Sequence, residues 1–205
     1  MESLIMRNPP STIPRGTRAA FSLVELLVVM VIISLLLVFG TAGFSSIFRA
    51  SRLSSSGQLV QSEIMVARQQ AVTFSREVEV RFFQTGSGTN RVWNGVQGFS
   101  VDGAGNWATL RRAVLLPDGV VMDEAHSTLL VSAPVSGTTN FGSYGSQAYR
   151  AFRFRPGGNT QMALTTNNNT LILRGTGTGN PSSLPANFFV FVVTPINGKT
   201  LTFQP

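Results

Sequence analysis

One uncharged stretch near the N-terminus limits what this chain can fold into more than any other feature. No charged residue occurs among the 23 residues from Leu26 to Phe48, and residues 26–39 are apolar except for Ser34. A helix of about 20 apolar residues crosses the hydrocarbon core of a bilayer, because each residue rises about 1.5 Å. The sequence therefore predicts a membrane-spanning helix in this region.

The flanking charges favour a cytoplasmic N-terminus. Arg15 and Arg18 lie just before the uncharged stretch, and basic residues near a span tend to stay on the cytoplasmic side. Arg49 and Arg52 lie just after it and weaken this bias. We therefore expect a single-pass membrane protein whose N-terminus lies in the cytoplasm and whose C-terminal domain lies on the other side of the membrane.

Glu25 stands at the start of the apolar segment. A carboxylate near the start of a spanning helix costs a few kcal/mol unless it reaches water or a partner. Two interpretations follow from the residue alone. Either Glu25 lies at the membrane surface, or it has a specific partner within the membrane.

The residues around Glu25 resemble the type IV prepilin family, which includes the pseudopilins of type II secretion. That family has a short basic leader ending in glycine, then Phe, three residues and Glu. Here Arg15-Gly16-Thr17-Arg18-Ala19-Ala20 precedes Phe21-Ser22-Leu23-Val24-Glu25. Ala20 stands where the family usually has glycine, and alanine is also small.

The resemblance implies how the chain is processed and assembled. A prepilin peptidase and methyltransferase would cut between Ala20 and Phe21 and methylate the new amine of Phe21. Glu25 would then pair with the Phe21 amine of a neighbouring subunit. The implied partners are this processing enzyme, other pilin or pseudopilin subunits, an inner-membrane assembly platform and membrane lipid.

Helical spacing continues beyond the uncharged stretch. One stripe of a helix would carry Leu53, Val60, Ile64, Ala67, Ala71 and Phe74. We expect one helix over about residues 22–76 whose second half packs on a sheet, with a weak point or hinge at Ser54-Ser55-Ser56-Gly57. Residues 1–20 would be the leader, 21–44 the membrane segment, 45–76 the remaining helix and 77–205 a β-rich domain.

The period then changes from helical spacing to alternation. In residues 77–82, apolar and charged side chains alternate, which predicts a half-buried strand. Residues 188–193 are apolar on both faces, which predicts a covered, central strand. Asn197-Gly198 predicts a hairpin turn, and residues 136–146 and 175–185 are predicted to be loops. Further strands are predicted at 98–101, 108–116, 120–122, 129–132, 149–155, 162–165, 170–174 and 200–204.

The predicted fold class is therefore α+β, with a long N-terminal membrane-spanning helix packed on an antiparallel sheet. This order of parts resembles the minor pseudopilin H type in the passage from Gln69-Gln70-Ala71-Val72 to residues 77–82, in residues 152–158 and at Asn197-Gly198-Lys199. It is also similar to the pilin-like cassette protein D group of Verrucomicrobia-type bacteria.

Few residues offer catalytic or metal chemistry. The chain has no cysteine and one histidine, His126, which we interpret as a solvated loop residue. Asp118, Asp123 and Glu124 lack the oxygen-ligand spacing of a calcium loop, so turn and surface roles are preferred. We expect no cofactor and no metal, and a structural rather than an enzymatic role.

Basic residues raise a second possibility. Arg153 and Arg155 would share one strand face, and a DNA-binding or subunit-contact patch could include Arg150, Arg153, Arg155, Arg174 and Lys199. A solvated face or a lateral subunit contact is preferred over DNA. The main prediction is a minor pilin or pseudopilin of a type II secretion-like or type IV pilus-like filament. The alternatives are a DNA-uptake receptor and a soluble β-domain secreted after cleavage behind Gly43.

Overall fold

The computed structural model describes residues 22–164, 169–177 and 183–205, without the side chains of residues 38–46. The predicted leader, Ala20 and Phe21 lie outside these residues. The chain divides into two compact units between Phe44 and Ser45. One α-helix, α1 (Leu23–Thr73), runs through both, and the β-structure of the described residues belongs to the second unit.

Local signals set both ends of α1. At its start, the carbonyl of Ser22 accepts the amide of Leu26 at 3.1 Å, and Ser22 Oγ accepts the amide of Val24 at 3.4 Å. At its end, Ser75 takes a positive φ of 50°. The helix therefore stops shortly before the predicted residue 76. Phe74 lies beyond it with 53% of its surface exposed, so its predicted place in the buried stripe is wrong.

The structure does not test the predicted membrane-spanning segment. Among the residues whose side chains are described, no helix has an apolar stretch long enough to cross a bilayer. Residues 38–46 of the predicted span lie outside that set, so the span stays a prediction from the sequence.

In the second unit, α1 packs on the sheet through the predicted stripe. Leu53, Val60, Ile64, Ala67 and Ala71 are all buried. The helix is continuous through residues 54–57, so the structure shows no break at the predicted weak point.

Glycine at position 57 instead permits close packing. A Cβ atom on Gly57 would lie 2.6 Å from the ring of Phe189, which is far inside contact distance. Gly57 lowers the helix propensity of this segment, but its missing side chain lets the Phe189 ring pack close to the helix backbone.

In the described part of the chain the sheet has ten strands, and its pairs are antiparallel. The main path runs β10-β9-β8-β5-β2-β1-β7-β6, and β3 and β4 pair with β2 beside it. The strands are β1 (Val78–Thr85), β2 (Val92–Val101), β3 (Trp107–Thr109), β4 (Val114–Leu115), β5 (Val120–Met122), β6 (Val135–Asn140), β7 (Ser146–Phe154), β8 (Thr170–Gly175), β9 (Phe188–Val193) and β10 (Thr200–Phe203).

The main core lies between α1 and one face of this sheet. Alternate residues of β1 and β7, including Val80, Phe82, Phe152 and Phe154, face the helix and are fully buried. Burying a side chain of this size contributes about 1.5–3 kcal/mol. The core thus stabilises the second half of α1.

Several local predictions are wrong. Residues 129–132 belong mostly to a short helix, α2 (Thr128–Val131), and not to a strand. Residues 162–164 form no strand. Part of the predicted loop at 136–146 is the edge strand β6. Strand β9 is next to the edge, and its burial alternates between buried and half-buried, so only one of its faces is fully covered.

The second face of β1 is also covered, which the alternation of residues 77–82 did not predict. Glu79 and Arg81 are buried there, and Phe83 forms a smaller core with Phe99 and Phe141. The rings of Phe83 and Phe141 stack with centroids 4.3 Å apart. The charged positions of β1 therefore lie in an interior layer and not in solvent.

Candidate functional site

Glu25 lies exposed in the first turn of α1. The N-terminal end of a helix stabilises negative charge through its unpaired amides and its dipole. The spacing Ser22-x-x-Glu25 is that of a capping box. This gives Glu25 a second candidate role, in helix capping, besides the predicted role in assembly. In the structure, the Val24 amide donates to Ser22 Oγ, whereas the Glu25 amide, the donor that a capping box requires, donates to the carbonyl of Ser22 at 3.0 Å.

The helix around Glu25 is apolar on all sides. Leu23 and Val24 are 87% and 70% exposed, and the large apolar side chains from Leu26 to Leu37 are at least 46% exposed. A helix that is apolar all round needs a lipid or protein environment. Glu25 is the one charged side chain in residues 22–37, so a partner that covers this surface must also accommodate a carboxylate.

The five basic residues of the predicted patch are dispersed. Arg150 pairs in register with Phe82 on the α1-facing side of β7, whereas Arg153 pairs with Glu79 on the opposite side. Arg155 follows β7 and is exposed. Arg174 lies in β8, four strand spacings or roughly 19 Å from β7. Lys199 precedes β10, at the far end of the sheet.

Arg153 is held in an interior ion-pair cluster. Glu79 has no exposed surface, and its two carboxylate oxygens accept hydrogen bonds from Arg81 Nε and from Arg153 Nε, the latter at 2.7 Å. Charge-assisted bonds of this kind are needed to offset the desolvation of a buried carboxylate. One carboxylate thus neutralises part of the charge of two arginines.

Aromatic rings complete this cluster. The guanidinium carbon of Arg81 lies 3.9 Å from the ring centre of Phe99 and 4.4 Å from that of Tyr149. That of Arg153 lies 4.8 Å from the ring centre of Trp107. These cation–π contacts stabilise the positive charge of the two arginines that the Glu79 carboxylate does not neutralise. The sequence signal for the cluster was the Glu79-x-Arg81 alternation, but the covering rings come from β2, β3 and β7.

Arg174 is engaged in a second cluster. The Asp123 carboxylate is buried, and its Oδ2 lies 3.0 Å from Arg174 Nε and 2.9 Å from His126 Nδ1. Its Oδ1 accepts the amide of Ala125 at 3.0 Å. His126 is therefore a partly buried structural residue, and its interpretation as a solvated loop residue is wrong.

A third buried carboxylate, Glu63, belongs to α1. Arg111 Nη1 lies 3.0 Å from Glu63 Oε1, with about half of the arginine side chain exposed. Burial raises the pKa of Glu63 above its ordinary value, and the charge of Arg111 offsets part of that rise. The ion pair ties the segment between β3 and β4 to the helix.

Within residues 22–164, 169–177 and 183–205, no cluster of three carboxylate or imidazole groups could hold a metal ion. The Asp123 carboxylate is already occupied by Arg174, His126 and backbone amides. In the described residues, Glu63, Glu79 and Asp123 are thus held in structural ion pairs, and the exposed first part of α1 is the surface most in need of a partner.

Comparison with known proteins gives two family matches. Residues 15–41 match the model of the prokaryotic N-terminal methylation motif. Residues 56–185 match the model described as type II transport protein GspH. No curated protein sequence gave a significant match.

Two solved structures are similar in outline. The minor pseudopilin EpsH from the type 2 secretion system of Vibrio cholerae has 9% identity and a TM-score of 0.45, covering 75% of this chain and 98% of that one. The type IV minor pilin FimU of Pseudomonas aeruginosa has 13% identity and a TM-score of 0.46, covering 76% and 93%.

Proposed function

Because the chain belongs to the GspH family of type II transport proteins, we propose that it is a minor pseudopilin with a structural and not an enzymatic role. It is incorporated with homologous subunits into a short filament of a type II secretion-like or type IV pilus-like machine. The single observation that carries this proposal is the methylation motif over residues 15–41, followed directly by the family domain over residues 56–185.

The proposed maturation follows from the motif. Prepilin peptidase cuts between Ala20 and Phe21 and methylates the new amine of Phe21. Before incorporation, the protein is held in the inner membrane with a cytoplasmic N-terminus and a periplasmic domain. Its further partners are the assembly platform, other pilin or pseudopilin subunits and membrane lipid.

Glu25 gives each subunit a way to recognise the next one. Its carboxylate stands alone on an exposed apolar helix, where removing it from water is costly. The protonated Phe21 amine of a neighbouring subunit carries the opposite charge. In a low-dielectric layer the two groups attract each other strongly, so each removes the penalty of the other.

Substitution of Glu25 tests this role. Glu25→Ala should block incorporation into filaments while membrane insertion remains intact, because insertion needs only the apolar helix. Incorporation is measured by chemical cross-linking of subunits in membranes with a reagent that does not require cysteine. Membrane fractionation of the same samples measures insertion. Glu25→Asp is the matched control, because it keeps the charge on a shorter side chain and should retain part of the assembly. Normal assembly of Glu25→Ala would rule out the pairing.

No specific observation favours the DNA-receptor alternative. Arg153 and Arg174 are ion-paired with Glu79 and Asp123. Arg150 lies on the opposite face of β7 from Arg153, and Lys199 precedes β10 at the far end of the sheet. We therefore do not propose DNA as a partner.

A further inference from the structure

Strand β10 forms one end of the sheet and has an unprotected edge. Its only strand partner in the described part of the chain is β9. Natural sheets usually protect edge strands with charges, prolines or bulges, but residues 200–203 are Thr-Leu-Thr-Phe. Leu201 and Phe203 are 64% and 60% exposed. An edge of this kind is a template for another strand.

The register shows which backbone groups face outward. Thr194 donates its amide to the carbonyl of Lys199 at 2.8 Å, and Leu201 and Phe203 pair with Val192 and Val190. Since bonded pairs alternate along an antiparallel ladder, Leu201 and Phe203 bond to β9. The amides and carbonyls of Thr200 and Thr202 therefore point toward the free edge.

A groove of about 540 Å³ runs beside this edge, between β10 and α1. Met65 and Val72 contribute exposed apolar surface from the helix. Arg68 fixes one wall, because its Nε donates to the carbonyl of Asn197 at 2.9 Å. Thr200 Oγ1 is buried and has no hydrogen-bond partner in the described residues. The groove thus offers apolar contacts and an unmet polar group.

The charge of the groove indicates what would fill it. Arg68 and Lys199 both line it, and no carboxylate is among its lining residues. The folded unit from Ser45 to Pro205 has thirteen basic and seven acidic residues, a net charge of +6. Complementary charge therefore favours an acidic occupant.

A second copy of this chain does not fit that requirement. Its other edge strand in the described residues, β6, has the sequence Val-Ser-Gly-Thr-Thr-Asn and carries no charge. The two positively charged units would also repel each other. An acidic segment must come from a different protein.

We propose that the groove between α1 and β10 binds an extended, acidic segment of a partner protein, which pairs as an additional strand with the outward backbone groups of Thr200 and Thr202. Backbone hydrogen bonds provide affinity in such strand addition, and the flanking side chains provide specificity. Apolar partner residues lie beside Leu201 and Phe203 on one face of the added strand, and acidic ones lie on the other face toward Arg68, with Lys199 at the turn end of the groove. The groove belongs to the folded domain, so this binding does not depend on Glu25 or on filament assembly.

Labelled peptides with blocked ends test the proposal on the full chain in detergent, with binding measured by fluorescence anisotropy. A peptide of alternating valine and glutamate should bind, and one of alternating valine and lysine should not. Thr202→Pro removes an outward amide that β9 does not use, and should weaken binding about tenfold or more at an unchanged melting temperature. Thr202→Ala, the matched control, should bind like the wild type.

Charge reversal provides an independent variant that keeps the backbone. Lys199→Glu should weaken binding of the glutamate peptide about tenfold and strengthen that of the lysine peptide. Equal binding of both peptides by the wild type, no binding of the glutamate peptide, or wild-type affinity in both Thr202→Pro and Lys199→Glu would overturn the proposal. So would a preference for phosphatidylglycerol vesicles without peptide binding, which would assign the groove to lipid.

Discussion

At the residue scale, three arginine-bound carboxylates organise the interior of the domain. Glu63, Glu79 and Asp123 are buried, and each bonds to at least one arginine. Ion pairs of this kind contribute little net stability compared with apolar residues, but breaking one leaves a buried charge unpaired. Their value is in fixing one register of strands and loops, and substitutions at these positions should be unusually damaging.

Glu79→Gln should destabilise the domain by about 3–5 kcal/mol, because two partly buried arginines lose their common counter-charge. Denaturant unfolding of the full chain in detergent measures this effect. Glu124→Gln is the matched control, since Glu124 is exposed and its substitution should change stability by less than about 0.5 kcal/mol. Equal stability of Glu79→Gln and the wild type would contradict an interior role for the cluster.

Glu63 should make stability depend on pH. Its pKa is raised by burial above the ordinary value of 4.5, so the folded state binds the proton more tightly than the unfolded state does. This contribution is fully present below pH 4.5 and is lost as pH rises through the raised pKa. Relative to Glu63→Gln, the wild type should therefore lose stability between acidic and neutral pH. Parallel unfolding profiles for the two proteins would contradict this.

At the element scale, the close approach of helix α1 to the sheet near Phe189 depends on Gly57. Substituting an exposed helical glycine by alanine would gain about 1 kcal/mol of helix propensity. At Gly57 the added methyl group instead collides with the Phe189 ring.

We expect Gly57→Ala to destabilise the domain by about 1–3 kcal/mol despite its better helix propensity. Phe189→Leu should recover part of that loss in the double variant, because the smaller side chain makes room for the methyl group. Ser55→Ala is the control on the exposed face of the same helix. Unfolding measurements on the wild type, the two single variants and the double variant give the coupling, and a stabilised Gly57→Ala would contradict the close packing.

The same elements show what the sequence could predict. The buried stripe from Leu53 to Ala71 and the Asn197-Gly198 hairpin depend on local periodicity and turn chemistry, and both were predicted. The burial of Glu79 and Arg81 was not, because Phe99, Trp107 and Tyr149 cover them from distant parts of the chain. Strand β6 was missed because its glycine, serine and threonine residues gain strand structure only by pairing with β7.

The candidate site divides in the same way. Glu25 could be proposed as an assembly residue from residues 21–25, because the motif is continuous in sequence. The five basic residues could not be grouped from the sequence, because Arg150 and Arg153 lie on opposite faces of β7 and the strand order places β8 far from β7, and no local pattern encodes that order. The carboxylates that neutralise Arg153 and Arg174 likewise come from other strands and loops.

At the scale of the whole molecule, an apolar helix with a single carboxylate precedes a basic, β-rich domain of the GspH family. The two parts have different needs for partners. The first part of α1 needs lipid or other helices around its exposed apolar surface, whereas the domain is already folded around its own core. The proposed filament subunit meets both needs, because its helix is surrounded by lipid before assembly and by other helices after it, while its domain stays folded.

The intact mass of the mature protein, purified from membranes of a host that has prepilin peptidase, tests this account most directly. The account predicts a chain that begins at Phe21 and carries one added methyl group. A chain that still begins at Met1, or a soluble chain that begins at Phe44, would contradict it.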